Sequence, residues 1–289
     1  MSQTKTSKAE KLFRGRKLVI GTKHDKEKVI APVIEKIIGV TCFASQNYDT
    51  DSLGTFTGEI ERTDDPLSTV RRKCLAAMDA NDCDLGIASE GSFGSHPESF
   101  LIPADDELMI FIDSKNGVEV IARELSTLTN FNSQKINSEE QLVDFAQRVG
   151  FPTHALILRR SHKDNTGIIK GIRNWGQLKA DYRALSDPYG EVFVETDMRA
   201  MHNPTRMKVI AGLAEKLANN IMSVCPECDM PGFNVTEVKK GLPCEYCHSP
   251  TRSVRSYIYE CKHCHHSEEK MQPEGKRFCN PMYCDYCNP

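Results

Sequence analysis

The chain has 289 residues, a formal net charge of -3, 39% hydrophobic and 27% charged residues, and twelve cysteines; that is room for about two globular domains and excludes a largely disordered chain. No apolar run approaches the roughly 20 residues of a membrane-spanning helix, and the basic start MSQTKTSKAEKLFRGRK lacks the apolar stretch of a secretory signal. The expected setting is the cytoplasm, with no membrane partner and cysteines kept as thiols or metal ligands.

Residues 1–17 carry six basic and one acidic side chain and read as a basic tail. Leu18-Val-Ile-Gly21 reads as a short buried strand. From His24 to Ile38, apolar pairs recur every four residues, the period of an amphipathic helix, and Gly39 closes it. Strands are predicted at Val40–Ala44 and Gly54–Ile60. Asp65-Pro66 supplies an N-cap and an N1 proline for a helix to about Ala80, with Val70, Cys74, Ala77 and Met78 inward. Asp84–Ser89 is the next strand, followed by a glycine-rich loop, Glu90 to Pro97. Glu107–Asp113 and Val118–Leu125 form a hairpin around Asn116-Gly117.

Ser138-x-x-Gln141 is a capping box before a helix ending at Gly150. Strands at His154–Arg159, Gly167–Ile172 and Val192–Glu195 follow, with a helix over Trp175–Leu185. Asn203-Pro204 opens a long helix carrying Met207, Ile210, Ala214, Leu217 and Ile221 on one face. This alternation predicts a three-layer α/β domain with a mixed sheet over residues 18–221.

The composition changes near residue 222: nine of the twelve cysteines lie between Cys225 and Cys287. Eight form four Cys-x-x-Cys units, Cys225/Cys228, Cys244/Cys247, Cys261/Cys264 and Cys284/Cys287, while Cys279 stands outside the pattern. Fifteen residues separate the first unit from the second and nineteen the third from the fourth. Such spacing suits zinc sites. Each unit points two thiolates at one ion and two units complete a tetrahedral shell. Residues 222–289 are therefore expected to be a tandem zinc-ribbon domain holding two structural Zn2+ ions. Sequential pairing of the units is expected; the alternative is a cross-brace of first with third and second with fourth. With eight basic and nine acidic residues, and metal-bound thiolates adding further negative charge, the domain has the wrong sign for a phosphate backbone. A protein partner or a purely structural role suits it better than nucleic acid.

Charge elsewhere is segregated: residues 49–144 carry a net -13 and residues 145–216 a net +5. Folded together, they would set an acidic wall that holds metal against a basic wall that holds phosphate. Three segments could build such a site. Thr22, Lys23 and His24 sit between a strand and a helix N-terminus, a natural anion site. Glu90 is the first carboxylate beyond an apolar strand, with Gly91 and Ser92 beside it; Glu59, Glu61 and Asp64 precede the second helix. Arg199 and Arg206 flank His202 where a strand gives way to a helix, and suit bidentate phosphate contacts.

Val19-Ile-Gly-Thr22-Lys-His24-Asp-Lys26, the stretch from Glu61 through Arg71-Arg72-Lys73 to Ala77, and Asp84-Leu-Gly86-Ile-Ala-Ser-Glu90-Gly91 together carry a resemblance. Residues 18–120 resemble the house-cleaning nucleoside triphosphate pyrophosphatases of the inosine/xanthosine triphosphatase branch, with His24 where that family has asparagine. The whole layout, ribbons included, also looks like an uncharacterised bacterial family. The first resemblance implies that Glu90 and an acid among Glu59, Glu61 and Asp64 bind Mg2+. It implies that Lys73 and Lys23 contact triphosphate, and that water attack releases pyrophosphate and a nucleoside monophosphate. The expected function is a Mg2+-dependent phosphohydrolase acting on a nucleotide or related phosphorylated ligand. The alternative is a non-catalytic ligand- or protein-binding module with ribbons for assembly.

Overall fold

A computed structural model of the chain describes residues 8–45, 65–161, 167–190, 192–272 and 275–289. The predicted strand at Gly54–Ile60 and the candidate acids Glu59, Glu61 and Asp64 lie outside the described residues.

The chain is α/β, as its alternation predicts. A five-stranded mixed sheet has the order β2-β1-β3-β4-β5. Its strands are β1 (Lys17–Gly21), β2 (Thr41–Ala44), β3 (Leu85–His96), β4 (Ser99–Asp113) and β5 (Val118–Ser126). β1 runs parallel to β2 and β3; β4 and β5 return antiparallel. Alternation along β1 feeds two cores, because successive side chains leave opposite faces. Leu18 and Ile20 join α2 (Glu27–Ile38) and α6 (Pro204–Met222) on one face. Val19 joins α3 (Pro66–Ala80) on the other. Helix, sheet and helix make three layers.

Helix ends follow their predicted caps. Asp65 accepts from the N–H groups of Leu67 and Ser68 at the start of α3, and Gly39 takes the left-handed conformation that ends α2. Asn203 accepts from the Arg206 N–H at the start of α6. Residues 8–17 are not simply a tail. Lys8–Phe13 forms a short helix, α1, that buries Ala9 and Phe13, and the Phe13 ring stands edge-on to Phe111 at 5.4 Å.

Two further expectations change. The glycine-rich segment from Glu90 to His96 is not a loop: it continues β3 and pairs with a β4 that starts at Ser99, eight residues earlier than Glu107. Its glycines and serines lack the apolar pattern of a strand, so the cross-strand register rather than local propensity holds it extended. Residues 18–221 also contain a second sheet. β6 (Ser133–Ile136), β7 (Leu156–Arg159), β8 (Ile169–Ile172) and β9 (Val192–Thr196) form an antiparallel sheet of order β6-β9-β7-β8. α4 (Glu139–Arg148) and α5 (Trp175–Tyr189) cover one of its faces with a separate core. The short polar strand β6 gave no alternation to read. Ser138 and Gln141 cap α4 as foreseen, the serine accepting from the Gln141 N–H.

The cysteine-rich region forms an antiparallel meander of β10 (Asn234–Lys240), β11 (Val254–Glu260) and β12 (Ser267–Met271). It sits against the main domain. Gly232 lies so close to β5 that a side chain there would meet Val120 at 2.9 Å, and its positive φ of 88° also favours glycine. No helix among the described residues is long and apolar enough to cross a membrane.

Candidate functional site

The eight ribbon cysteines gather into two groups: Cys225, Cys228, Cys261 and Cys264, and Cys244, Cys247, Cys284 and Cys287. This is the cross-brace, so the expected sequential pairing is wrong. Local spacing defines each thiol pair but carries no information about which pairs meet; that is decided by the meander, which brings the first unit to the third. Sulfur pairs between the two units are 3.7 and 3.6 Å apart in the first group and 3.8 and 3.6 Å in the second, and all four sulfurs of each group lie within 4.8 Å of one another. A tetrahedral ion with Zn–S bonds of about 2.3 Å sets its ligands about 3.8 Å apart. Each four-cysteine group could hold one zinc ion, and all twelve cysteines are free of disulfides.

Each unit is built the same way. The residue after the second cysteine donates its N–H to the carbonyl of the first: Asp229 to Cys225, His248 to Cys244, His265 to Cys261 and Asn288 to Cys284, at 2.8–3.0 Å. Asp229, His248 and His265 take positive φ to do so. His248 and His265 are thus turn residues outside the ligand shells. Without a cation, four thiols in one place cannot ionise together. Hydrogen bonding to Cys247 pushes Cys287 up to about 12, while the Ser249 backbone N–H helps draw Cys247 down to about 6. All eight positions are thiols with no fifth side chain among them, the composition of a closed structural site.

The sites differ in setting. Cys225 and Cys261 belong to the main hydrophobic core, with Met230 and Phe233 beside them. Lys8 donates to the Cys228 carbonyl at 2.8 Å, and Lys262 stands 3.8 Å from Glu119 on β5. Around the second site, Tyr246, Met282, Tyr283 and Tyr286 are all exposed.

A second cluster lies at the carboxyl ends of β1 and β3. The strand order 2-1-3 makes this a topological switch point: the helix after β1 lies on one face and the helix before β3 on the other. β1 stops at Gly21, opposite Ala88, so Ser89, Glu90 and Gly91 extend past it. Lys26 enters from the start of α2 and donates to Ser89 Oγ at 2.9 Å. Lys73 enters from α3 and pairs with Glu90. Both lysines and Glu90 are buried.

Alternation splits the cluster. Glu90 faces α3, whereas Asp105 and Glu107 on β4 lie in register with Phe93 and Gly91 and face α2 and α6. There Arg206, the largest fully buried side chain among the described residues, donates through Nε to Glu107 Oε1 at 2.6 Å and through Nη1 to the Met198 carbonyl at 2.6 Å. Its guanidinium lies over the Phe93 ring at 5.0 Å. Gly91 makes room for this pair: a Cβ there would come within 2.5 Å of both Arg206 Nη2 and Glu107 Oε1. The ammonium of Lys26 stands 4.0 Å from Glu107 Oε2. Burial lowers Lys26 to about 8 against the pull of Glu107. Burial first, then the charge of Glu107, raises Asp105 to about 7.

The expected residues therefore divide. Lys73 and Glu90 meet; Arg206 lies across the strand from them, on Glu107. The lysine delivered to the strand ends is Lys26, while Lys23 is exposed and α2 begins only at Glu27, so the Thr22–His24 turn is not a helix N-terminus. Thr22 Oγ1 is buried without a hydrogen-bond partner among the described residues, and Ser92 is exposed beside Asp106 on β4. Arg199 is not in this cluster: its guanidinium is clamped by Asp197, which also accepts the Gly171 N–H. His202 lies beside Gly171, and burial lowers its pKa. Lys26, Asp105 and Glu107 were missed by sequence reasoning. The i, i+2 acids of an acidic segment were the available signal, but the predicted hairpin began at Glu107 and left Asp105 outside it.

No curated protein matches the chain. Neither comparison links residues 18–120 to the nucleoside triphosphate pyrophosphatases. The family model of DUF6671, a domain of unknown function, matches residues 73–289, which take in both four-cysteine groups and every ionic residue of the switch-point cluster except Lys26; the chain belongs to that family.

Proposed function

We propose that the switch-point crevice binds a phosphorylated ligand, a nucleotide or a relative of one, and hydrolyses it with Mg2+, while two zinc ions brace the cysteine-rich region. The observation that carries this reading is the convergence of Lys26 and Lys73, one from each face of the sheet, on Ser89 and Glu90 at the carboxyl ends of β1 and β3. Ligands of open α/β sheets bind in such crevices, and two buried ammonium groups suit phosphoryl oxygens. The residues present fit a hard cation. Oxygen donors are what Mg2+ takes, and both carboxylate oxygens of Asp105 are buried without a hydrogen-bond partner among the described residues. Asp105 and Glu107 on the α2/α6 face are the acids that would hold it, with Glu90 on the opposite face. When bound, Mg2+ would neutralise phosphoryl charge.

In this reading the two lysines orient the phosphoryl group, and Glu90, held by Lys73, is the base for an attacking water. Arg206 acts at a distance, fixing Glu107. The free state of all twelve cysteines suits a reducing compartment such as the cytoplasm. The test is a panel of nucleoside triphosphates and phosphomonoesters with zinc-loaded protein and Mg2+. Wild type is expected to turn over at least one, and Glu90→Gln to abolish that turnover with the fold retained. Full activity in Glu90→Gln would remove Glu90 from the chemistry.

The second reading, a non-catalytic binding module, draws on the exposed Tyr246, Tyr283 and Tyr286 beside the second four-cysteine group. It is favoured if no compound in the panel is turned over.

A further inference from the structure

We propose that Asp105, with Glu107 beside it, is the seat of a hard divalent cation on the α2/α6 side of the sheet, and that Glu90 is not. The inference rests on the phosphoryl-ligand reading of the crevice and assigns its cation to different residues from those the sequence suggested. The other two fully buried aspartates among the described residues are satisfied. Asp113 receives Arg16 at 2.7 and 2.9 Å and Asn116 at 2.6 Å. Asp197 receives Arg199 through two nitrogens and the Gly171 N–H. Asp105 is fully buried, yet neither of its oxygens has a hydrogen-bond partner among the described residues, and Oε2 of fully buried Glu107 has none either.

The two acids sit two residues apart on β4 and so share a face. Arg206 adds charge nearby, but its hydrogen bonds through Nε and Nη1 go to Glu107 Oε1 and the Met198 carbonyl rather than to Asp105. An ionised carboxylate left this way in a dry interior is strongly unfavourable unless a cation or a proton meets it. Three oxygens without hydrogen-bond partners among the described residues, on acids two apart and with no thiol or imidazole named beside them, select a hard ion such as Mg2+ or Mn2+ over Zn2+ or Cu2+. Glu90, by contrast, is already neutralised by Lys73 on the opposite face.

Charge specifies the co-ligand. Lys26, Lys73 and Arg206 balance Glu90, Asp105 and Glu107, so the ionised cluster is neutral. A bare dication or a bare phosphate would each unbalance it, whereas the two together would not. The cation is therefore expected to bind with a phosphoryl group, which Lys26 would receive from its position 4.0 Å from Glu107.

The test is Mn2+ uptake by the full-length, zinc-loaded protein, read from the electron paramagnetic resonance signal of free Mn2+, with and without inorganic phosphate. Wild type is expected to take up Mn2+, more tightly with phosphate. Asp105→Asn is expected to weaken uptake about tenfold or more and to leave the melting temperature unchanged or raised, because it removes an unsatisfied carboxyl. Glu90→Gln is expected to keep Mn2+ affinity. Retained uptake in Asp105→Asn, or a marked fall in its melting temperature, would overturn the assignment. If Glu90→Gln loses uptake and Asp105→Asn does not, this inference fails while the phosphohydrolase reading stands. If wild type takes up no Mn2+ in either condition, both fail.

Discussion

The four-cysteine groups and the switch-point cluster both gather ionisable side chains in one place, but in one kind every group has its place around a single centre and in the other some groups are left without a partner. In each four-cysteine group the sulfurs stand at the spacing one tetrahedral ion needs. In the switch-point cluster, Lys73 meets Glu90 and Arg206 meets Glu107, while Asp105 meets no hydrogen-bond donor among the described residues. A closed cluster stabilises the fold that carries it. An open one costs stability and persists where a ligand completes it.

The comparison is broken or sharpened by substitution. The largest effect is expected at the first four-cysteine group. Cys225→Ser or Cys261→Ser should lose zinc and destabilise the whole α/β domain by about 3 kcal/mol or more, since both sulfurs lie in its core. Urea unfolding followed by far-ultraviolet circular dichroism measures this; a midpoint equal to wild type would contradict the closed-cluster account. Cys287→Ser at the exposed second group should also lose zinc, but hydrogen exchange should show the loss of protection confined to that group, with β1 to β5 protected as before.

Next comes Gly91→Ala. Its Cβ would press on the Arg206–Glu107 pair at 2.5 Å, costing about 1–3 kcal/mol in thermal unfolding. A neutral result would show that the pair moves freely. The smallest effect is a pH dependence at a closed carboxylate. Burial alone would raise Asp113, but Arg16 and Asn116 outweigh it and hold it below the usual carboxylate range. The unfolded chain then binds more protons as pH falls below about 4, so the stability this group contributes is present above that range and is lost towards lower pH. Asp113→Asn should flatten the acid limb of the stability curve.

What was legible in the sequence was what local pattern encodes. The apolar pairs of α2, the Asp65-Pro66 and Asn203-Pro204 starts of α3 and α6, and all eight clustered thiols follow from spacing or capping over a few residues. What was not legible depends on register between distant segments. Which Cys-x-x-Cys units meet is set by the β10–β12 meander. That Glu90 and Glu107 face opposite sides of the sheet is set by how β4 pairs with β3, which in turn required reading Glu90–His96 as strand. Lys26 replaced Lys23 because α2 starts three residues later than its first polar turn suggested.

The most direct test of the open crevice is anomalous diffraction from crystals of the zinc-loaded protein grown with Mn2+ and a non-hydrolysable nucleoside triphosphate analogue. The account predicts one zinc peak within each cross-braced four-cysteine group, a manganese peak beside Asp105 and Glu107, and phosphoryl density at Lys26. Manganese and phosphate bound elsewhere on the chain, or a crevice without either, would contradict it.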